Sequence, residues 1–148
     1  MQPGERFGYS VAVSNTVIAA GSSFKNVGSR VNAGMAHMIS LSGDYLGNVT
    51  ANKYVGNVTV DDTATSDWFG SNIACTDTHF AVAGPLDDEG TSGTGSAYLY
   101  EIDGTFVAKS TTTFPAWAAY AGDNHCNWKT SKLAMKYQTH MVTVNLTW

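Results

Sequence analysis

The chain has 148 residues, which is long enough for one domain with an apolar core. Hydrophobic residues make up 43% of it and aromatic residues 11%, and this content is too high for a disordered tail. Its formal net charge is −4 and its eight Lys and Arg residues form no basic stripe, which argues against a nucleic-acid surface. No apolar run is long enough to insert into a membrane, and the first ten residues lack the basic-then-apolar order of a secretory signal. Only 14% of residues are charged, which suits an exposed β protein or a subunit that buries much of its surface against neighbours.

The first 50 residues predict four short strands. The run GYSVAV turns through Ser14-Asn15-Thr16 into VIAAG, and after a loop GMAHMISL turns at Ser42-Gly43-Asp44 into YLGNVT. Alternating or continuous apolar residues bounded by Gly, Ser, Asn and Asp are typical of strands and their turns. We interpret residues 1–50 as one four-stranded unit.

Residues 67–109 predict a second unit with the same order of strands, SNIACT, HFAVAG, SAYLYEI and TFVAK. The pair Asp103-Gly104 between the last two runs is a strong hairpin signal. Between the units, residues 51–66 contain YVGNVTV and predict a connecting strand or linker. Residues 110–148 form a β-rich tail with strand-like runs at 133–137 and 141–148. This tail is expected to supply a divergent third blade, to cap a sheet edge or to reach a neighbouring subunit.

The two units align along their whole length. The offset is 62 at the first Phe-Gly pair, 63 at the second glycine and 61 at the later landmarks, which indicates a duplicated unit. No stretch of helical length has a 3.6-residue period, so the fold class is all-β, with two four-stranded antiparallel propeller-type blades plus a β-rich C-terminal segment. We expect the first two strands of each unit inside and the outer strands half-exposed. The aligned landmarks are Phe7-Gly8 with Phe69-Gly70, Gly21 with Gly84, Gly34 with Gly95, and Gly43 with Gly104.

These runs resemble the FG-GAP repeat over residues 5–50 and 67–109. The Phe-Gly pairs open both units, and Ala83-Gly84-Pro85 is a permuted remnant of Gly-Ala-Pro. The resemblance implies blades of integrin-α-like β-propellers, as in bacterial and viral surface proteins. The family's calcium loop is replaced by short turns at Asn15 and Asp77, so we expect no metal there and no cofactor. Two blades also fall short of the four to eight that close a ring.

One dense acidic patch, in the loop after the second strand of the second unit, is the candidate ligand site. Asp87, Asp88 and Glu89 form either a solvated turn or a ligand contact, and any bound cation is expected there. No nucleophile elbow, phosphate loop or paired Cys-x-x-Cys motif is present, so catalytic residues are not predicted and the chain is not expected to be an enzyme.

Several other residues keep two interpretations. The Asn-x-Thr triplets are glycan acceptors or Thr-rich strand sequence, and the tail aromatics stack on sugars or pack at a subunit contact. Pairing of the two cysteines, Cys75 and Cys126, is left open. The triplets begin at Asn48, Asn57 and Asn145, and the tail aromatics are Phe114, Trp117, Tyr120 and Trp128.

The function that fits these features is a non-enzymatic structural or adhesive module of an extracellular assembly, most plausibly a virion structural or host-attachment protein. The alternative is a small lectin-like module that binds glycans. The expected partners are other protein chains, in a homo-oligomer or larger assembly, and a host-surface glycan. Neither nucleic acid nor membrane insertion is expected, and the location is extracellular or the virion surface. The tail from Phe114 to Trp148 is expected to supply much of the contact, so deleting it should abolish assembly.

Overall fold

The computed structural model describes residues 4–87 and 95–109 together with the backbone of three strands near the C-terminus. Every regular element in these ranges is a β-strand, which confirms the all-β prediction. In the same ranges there is no helix long and apolar enough to cross a membrane.

The first sheet is antiparallel and its strands lie side by side in chain order. Its first turn is tight because the hydroxyl oxygen of Ser14 accepts the amides of Thr16 and Val17 at 3.1 and 3.2 Å. Its last turn needs a residue with positive φ, and Gly43 provides φ 95°. The four strands are β1 (Ser10–Val13), β2 (Val17–Ser22), β3 (Met35–Ser40) and β4 (Tyr45–Val49).

A two-stranded hairpin follows, formed by β5 (Asn52–Val55) and β6 (Val58–Asp61). The sequence predicted one connecting strand or linker here. The chain instead reverses within it, because Val55 pairs with Val58 and leaves only Gly56 and Asn57 in the turn. Gly56 has φ 62°, a conformation that glycine adopts at little cost.

The second sheet repeats the strand order and turn chemistry of the first. The hydroxyl oxygen of Thr76 accepts the amides of Thr78 and His79, as Ser14 does in the first sheet, and Gly104 has φ 91° in the last turn. Its strands are β7 (Asn72–Cys75), β8 (His79–Gly84), β9 (Ser96–Glu101) and β10 (Phe106–Lys109).

The tail contains three antiparallel strands, where the sequence predicted two strand-like runs. The additional strand is His125-Cys126-Asn127-Trp128-Lys129, whose mixed polar composition gives no apolar run to detect. It lies beside β7 of the second sheet. The strands are β11 (His125–Lys129), β12 (Lys132–Tyr137) and β13 (His140–Asn145).

Strand pairing shows that the two sheets are equivalent residue by residue. Val13 pairs with Ile18 in the first sheet and Cys75 with Phe80 in the second, an offset of 62 for both strands. The amide of Gly8 donates to the carbonyl of Gly21, and that of Gly70 to the carbonyl of Ala83, so Gly21 corresponds to Ala83. The predicted match of Gly21 with Gly84 is therefore wrong by one residue.

A shared irregularity strengthens the equivalence. The pairing of β3 with β4 skips Leu46, and the pairing of β9 with β10 skips Val107, which lies 61 residues later. A β-bulge bends its strand locally and is retained as a designed feature rather than a defect. Both sheets therefore bend at the same point of their last strand.

One face of each sheet packs against the other to form the core. The first sheet contributes small residues such as Ala19 and Ala36, and the second contributes large rings such as Phe80 and Tyr100. Phe69, in the loop that enters the second sheet, lies fully buried between them and contacts the rings of Tyr98 and Tyr100 edge-on. Small side chains on one face leave room for rings on the other.

The sheets approach so closely at one end that glycine is required there. A Cβ added to Gly21 would lie 1.9 Å from the carbonyl oxygen of Gly70, and one added to Gly34 would lie 2.0 Å from that of Phe69. Ser10 fixes the same contact by donating its hydroxyl to the carbonyl of Gly70 at 2.8 Å. The loop that carries Phe69 and Gly70 is thus held by backbone contacts.

The expected exposure of the strands is corrected in two places. β1 was expected inside, but Val11 and Val13 are exposed because no other sheet of the described residues covers their side of the first sheet. β9 was expected to be half-exposed, but its residues Ser96 to Tyr100 are all buried, since both faces of the second sheet are covered.

We predict that Phe69→Ala lowers the free energy of unfolding by about 3–5 kcal/mol, because it empties a fully buried site between the sheets. Phe7→Ala changes the equivalent, partly exposed residue of the first unit and should cost about 1 kcal/mol. Urea unfolding at neutral pH measures both. Equal losses in the two variants would contradict the view that Phe69 holds the sheets together.

Candidate functional site

Three buried charged side chains meet where the β5–β6 hairpin adjoins the second sheet. The ammonium nitrogen of Lys109 contacts Oδ2 of Asp62 and lies 2.8 Å from Oδ2 of Asp87. The Lys109 side chain is 8% exposed and the two aspartates are slightly less so. Lys53, on the hairpin, reaches the other oxygen of Asp62 at 2.6 Å. We call these four residues the lysine–aspartate centre.

Neighbouring side chains supply further hydrogen bonds to the lysine–aspartate centre. The hydroxyl of Ser96 donates to Oδ2 of Asp87 at 2.5 Å, and the phenol of Tyr98 donates to Oδ2 of Asp62 at 3.4 Å. The ammonium of Lys109 also lies 5.2 Å from the centre of the Tyr98 ring, a favourable cation–π distance. Buried charges are tolerated when they are paired and hydrogen-bonded in this way.

The predicted ligand site divides between described and undescribed residues. Asp87 is buried, with its carboxylate on Lys109 and Ser96, so it is not part of a solvated turn. A ligand that used Asp87 would have to displace those partners. Asp88 and Glu89 lie outside the described residues, and their role as ligand contacts stays a prediction.

Asp67 lies buried beside the centre without an ion pair of its own among the described residues. Burial raises the pKa of its carboxyl to about 6; the nearby carboxylates of Asp87 and Asp62 add to the rise, while the amide of Ala64, donating at 2.5 Å, and Lys109 oppose it. Near neutral pH this carboxyl is therefore close to its titration range.

The two turns where no calcium was expected are bonded to each other. The backbone amide and the side-chain amide of Asn15 donate to the two carboxylate oxygens of Asp77 at 2.8 and 3.0 Å, and Thr16 donates to the Asp77 carbonyl. These bonds hold the pKa of Asp77 below its usual range. In the described residues no group of three or more His, Cys, Asp or Glu side chains is placed to hold a metal ion.

The second surface of interest is the side of the first sheet that faces away from the second sheet. Its side chains are Val11, Val13, Ile18, Ile39 and Tyr45, and we call it the open face. Val11, Val13 and Tyr45 are largely exposed, and the two isoleucines are partly so. The sequence did not reveal this surface, since its residues have the same apolar character as their buried counterparts in the second sheet.

Phe7 lies over one end of the open face. Its ring meets the His37 ring edge-on at 5.1 Å, and the His37 ring stands 6.0 Å from Tyr45. The Tyr45 hydroxyl accepts the Asn48 side-chain amide at 2.8 Å and lies 3.2 Å from Nδ1 of His37. Burial lowers the pKa of His37, and the charge of Lys25 lowers it further.

The remaining candidates fall into two groups. Asn48 and Asn57 are exposed, as a glycan acceptor must be, and Cys75 is a free, half-buried thiol whose pKa is raised by burial. The side chains of the other sequence candidates, which are Asn145, Cys126, Phe114, Trp117, Tyr120 and Trp128, lie outside the described part of the chain.

We predict that Lys109→Met lowers the free energy of unfolding by about 3–5 kcal/mol at pH 7, because two buried carboxylates lose their shared cation. Arg30→Met is the matched control, since its ion pair with Asp61 is solvent-exposed and should be worth less than about 1 kcal/mol. Chemical unfolding of both variants checks this, and equal losses would show that the buried pairs carry no special weight.

We predict that Asp67→Asn is more stable than the natural chain at pH 8, and that this difference disappears as the pH falls through about 6 toward 4. The folded pKa lies above the unfolded value near 4, so the natural fold takes up a proton in this range and gains stability relative to the variant. Unfolding curves between pH 4 and 8 measure the difference.

Asp77→Asn should behave in the opposite sense. Its folded pKa is lowered, so the natural chain is more stable than the Asp77→Asn variant at neutral pH. It loses that advantage as the pH falls through the folded pKa.

A stability difference between Asp67→Asn and the natural chain that does not change with pH would contradict the prediction for Asp67.

Comparison with known proteins gives a family match to part of the chain. The model of the FG-GAP repeat matches residues 54–100, from the β5–β6 hairpin through β9. No curated protein matches the sequence. The matched segment contains Phe69-Gly70 and begins earlier than the expected repeat, because it includes part of the hairpin. Residues 54–100 thus match the FG-GAP repeat, and the described part of the chain is all-β, with propeller-type, four-stranded antiparallel sheets.

Proposed function

We propose that this chain is a non-enzymatic structural and adhesive module that binds another protein chain through the open face of its first sheet. The observation that carries the proposal is an apolar row that crosses all four strands of one sheet, with exposed side chains at both ends and partly exposed isoleucines between them. The row is Val13, Ile18, Ile39 and Tyr45, and the exposed Val11 lies beside Val13 on the same face. A contiguous exposed apolar surface on a soluble domain is typical of an interaction site.

The setting of this module is an assembly outside the cell, as a virion structural or host-attachment protein. A surface poor in charge and rich in Gly, Ser, Thr and Asn supports this proposal, since only 14% of residues are charged. FG-GAP-type blades serve adhesion in surface proteins, and the matched repeat supports the adhesive part of the proposal. The tail from residue 114 onward is a second contact in the proposal.

The test uses sedimentation velocity of the full chain from about 1 to 100 μM. Without its partner, the chain should self-associate weakly through the open face, with no fixed stoichiometry. Val11→Lys with Val13→Lys should give a monomer of unchanged stability, because both side chains are already in contact with water.

Val55→Lys with Val58→Lys is the matched control. These two valines are as exposed as Val11 and Val13 but lie on the β5–β6 hairpin, so the self-association should persist. A natural chain that is monomeric throughout the concentration range would contradict the proposal.

A lectin-like function is the second candidate, and the surroundings of Tyr45 favour it. An exposed ring flanked by the imidazole of His37 and the amide of Asn48 combines a stacking surface with polar groups, as sugar sites do. Binding of the full chain on a glycan array, lost in Tyr45→Ala and kept in the hairpin variant, would select this candidate. An array without any hit would remove it.

A further inference from the structure

The open face is the counterpart of a surface that is fully covered in the second sheet. Strand pairing makes Val11 equivalent to Ile73 and Tyr45 equivalent to Phe106, and the sequence makes Phe7 equivalent to Phe69. The first member of each pair is exposed and the second is buried: 61% against 4%, 59% against 7%, and 41% against 0%. Equivalent apolar positions thus differ in whether another sheet lies over them.

Local geometry at the two Phe residues is the same, although the coverage differs. Phe7 meets His37 edge-on at 5.1 Å, and Phe69 meets the equivalent Tyr98 edge-on at 5.1 Å. The residues just before them, Arg6 and Trp68, both have positive φ, at 50° and 55°. The first unit is therefore folded in the conformation that the second unit has when covered.

The cover of the second sheet has three recognisable properties. It presents small side chains to the rings, among them Ala19 and Ala36. It carries glycine at positions 21 and 34, where the backbone of the entering loop touches it. It also supplies backbone acceptors, since the amide of Phe69 donates to the carbonyl of Ala33 at 3.0 Å. None of the described residues supplies such an acceptor to the amide of Phe7.

We propose that the open face binds a further antiparallel sheet of the same repeat type, carried by another polypeptide, with alanines facing Ile18 and Tyr45 and glycines facing Phe7 and Gly8. This proposal rests on the proposed function, because it names the partner of that same surface. The new contact would continue the interface that already joins the two sheets of this chain.

A second copy of this chain does not offer the required surface. The small-residue face of its first sheet is covered by its own second sheet. The equivalent face of its second sheet, which includes Ala81, Ala83 and Ala97, is also buried. Neither sheet of a second copy is thus available, and the partner in this proposal is a different chain with an uncovered small-residue sheet.

The experiment supplies such a sheet as a probe of known structure. A second copy of residues 4–65 is placed directly before Gly4 of the full chain, so that the inserted sheet precedes the first sheet by the same 62 residues that separate the two natural sheets. In the inserted copy only, Val11, Val13 and Tyr45 are replaced by Lys, so that it adds no open face of its own.

The readout is the accessibility of position 11 in the original first sheet. Val11→Cys adds a thiol there, and its reaction with a water-soluble aromatic disulfide is measured as the difference from the same chain without that substitution. In the natural-length chain the added thiol should react rapidly, because Val11 is exposed. In the extended chain it should react at least tenfold more slowly.

A matched control blocks the docking face of the inserted copy. Ala19→Arg and Ala36→Arg in that copy fill the space that the small residues leave, so the rate should return to that of the natural-length chain. The m-value of urea unfolding should rise in the unblocked extended chain, because more surface is buried in one cooperative unit.

Three other results overturn the proposal. An equal thiol rate in the extended and natural-length chains, with the inserted β signal present in circular dichroism, shows that such a sheet does not fit. A thiol protected in the natural-length chain at every concentration shows that the chain covers the face itself. Protection with a fixed dimer shows that a second copy is the occupant. A monomeric natural chain with a protected extended chain contradicts only the proposed self-association.

Discussion

The structure depends on the close contact between the loop at Phe69-Gly70 and the first sheet. The Phe69 ring fills the space between the sheets, and its backbone lies against Gly21 and Gly34 with no room for a Cβ. Burial of a whole aromatic side chain is one of the largest single contributions to a small core. Because the contact combines the ring with backbone hydrogen bonds, it sets both the distance and the register of the two sheets.

The lysine–aspartate centre lies at the same end of the second sheet as this loop. It ties the end of β10 to the segment after β6 and to the end of β8 through one ammonium group, Lys109. Such a centre contributes little net stability compared with an apolar replacement, but it becomes costly when one partner is lost. Its contribution is thus to position the β5–β6 hairpin against the sheet, within the segment that the FG-GAP repeat covers.

Strand order and turns could be predicted from the sequence, because they depend on local signals. Apolar runs gave the eight strands of the two sheets, and the turn residues at Ser14 and Asp103-Gly104 marked their connections. Pairing was harder. The glycines at 21 and 84 suggested a match that hydrogen bonds shift by one residue, since Gly21 is glycine because of Gly70 rather than because of its place in the strand.

The candidate sites were predicted less well, because they depend on contacts between distant segments. Asp87 was found as part of an acidic run, but its partner Lys109 is 22 residues further along the chain and gives no signal of the pair. The exposure of Val11 could not be predicted from the sequence. Valine in an apolar strand predicts burial, and only the position of the other sheet decides which apolar face stays in water.

The difference in exposure between equivalent residues of the two sheets also links the fold to the proposed function. In an array of stacked units each sheet buries one face on the unit before it and one on the unit after it. The second sheet of this chain has both faces buried, whereas the first sheet has only one. A terminal unit that ends an array usually has a polar outer face. The first sheet has Val11, Val13 and Tyr45 there instead, which is the composition of an internal unit.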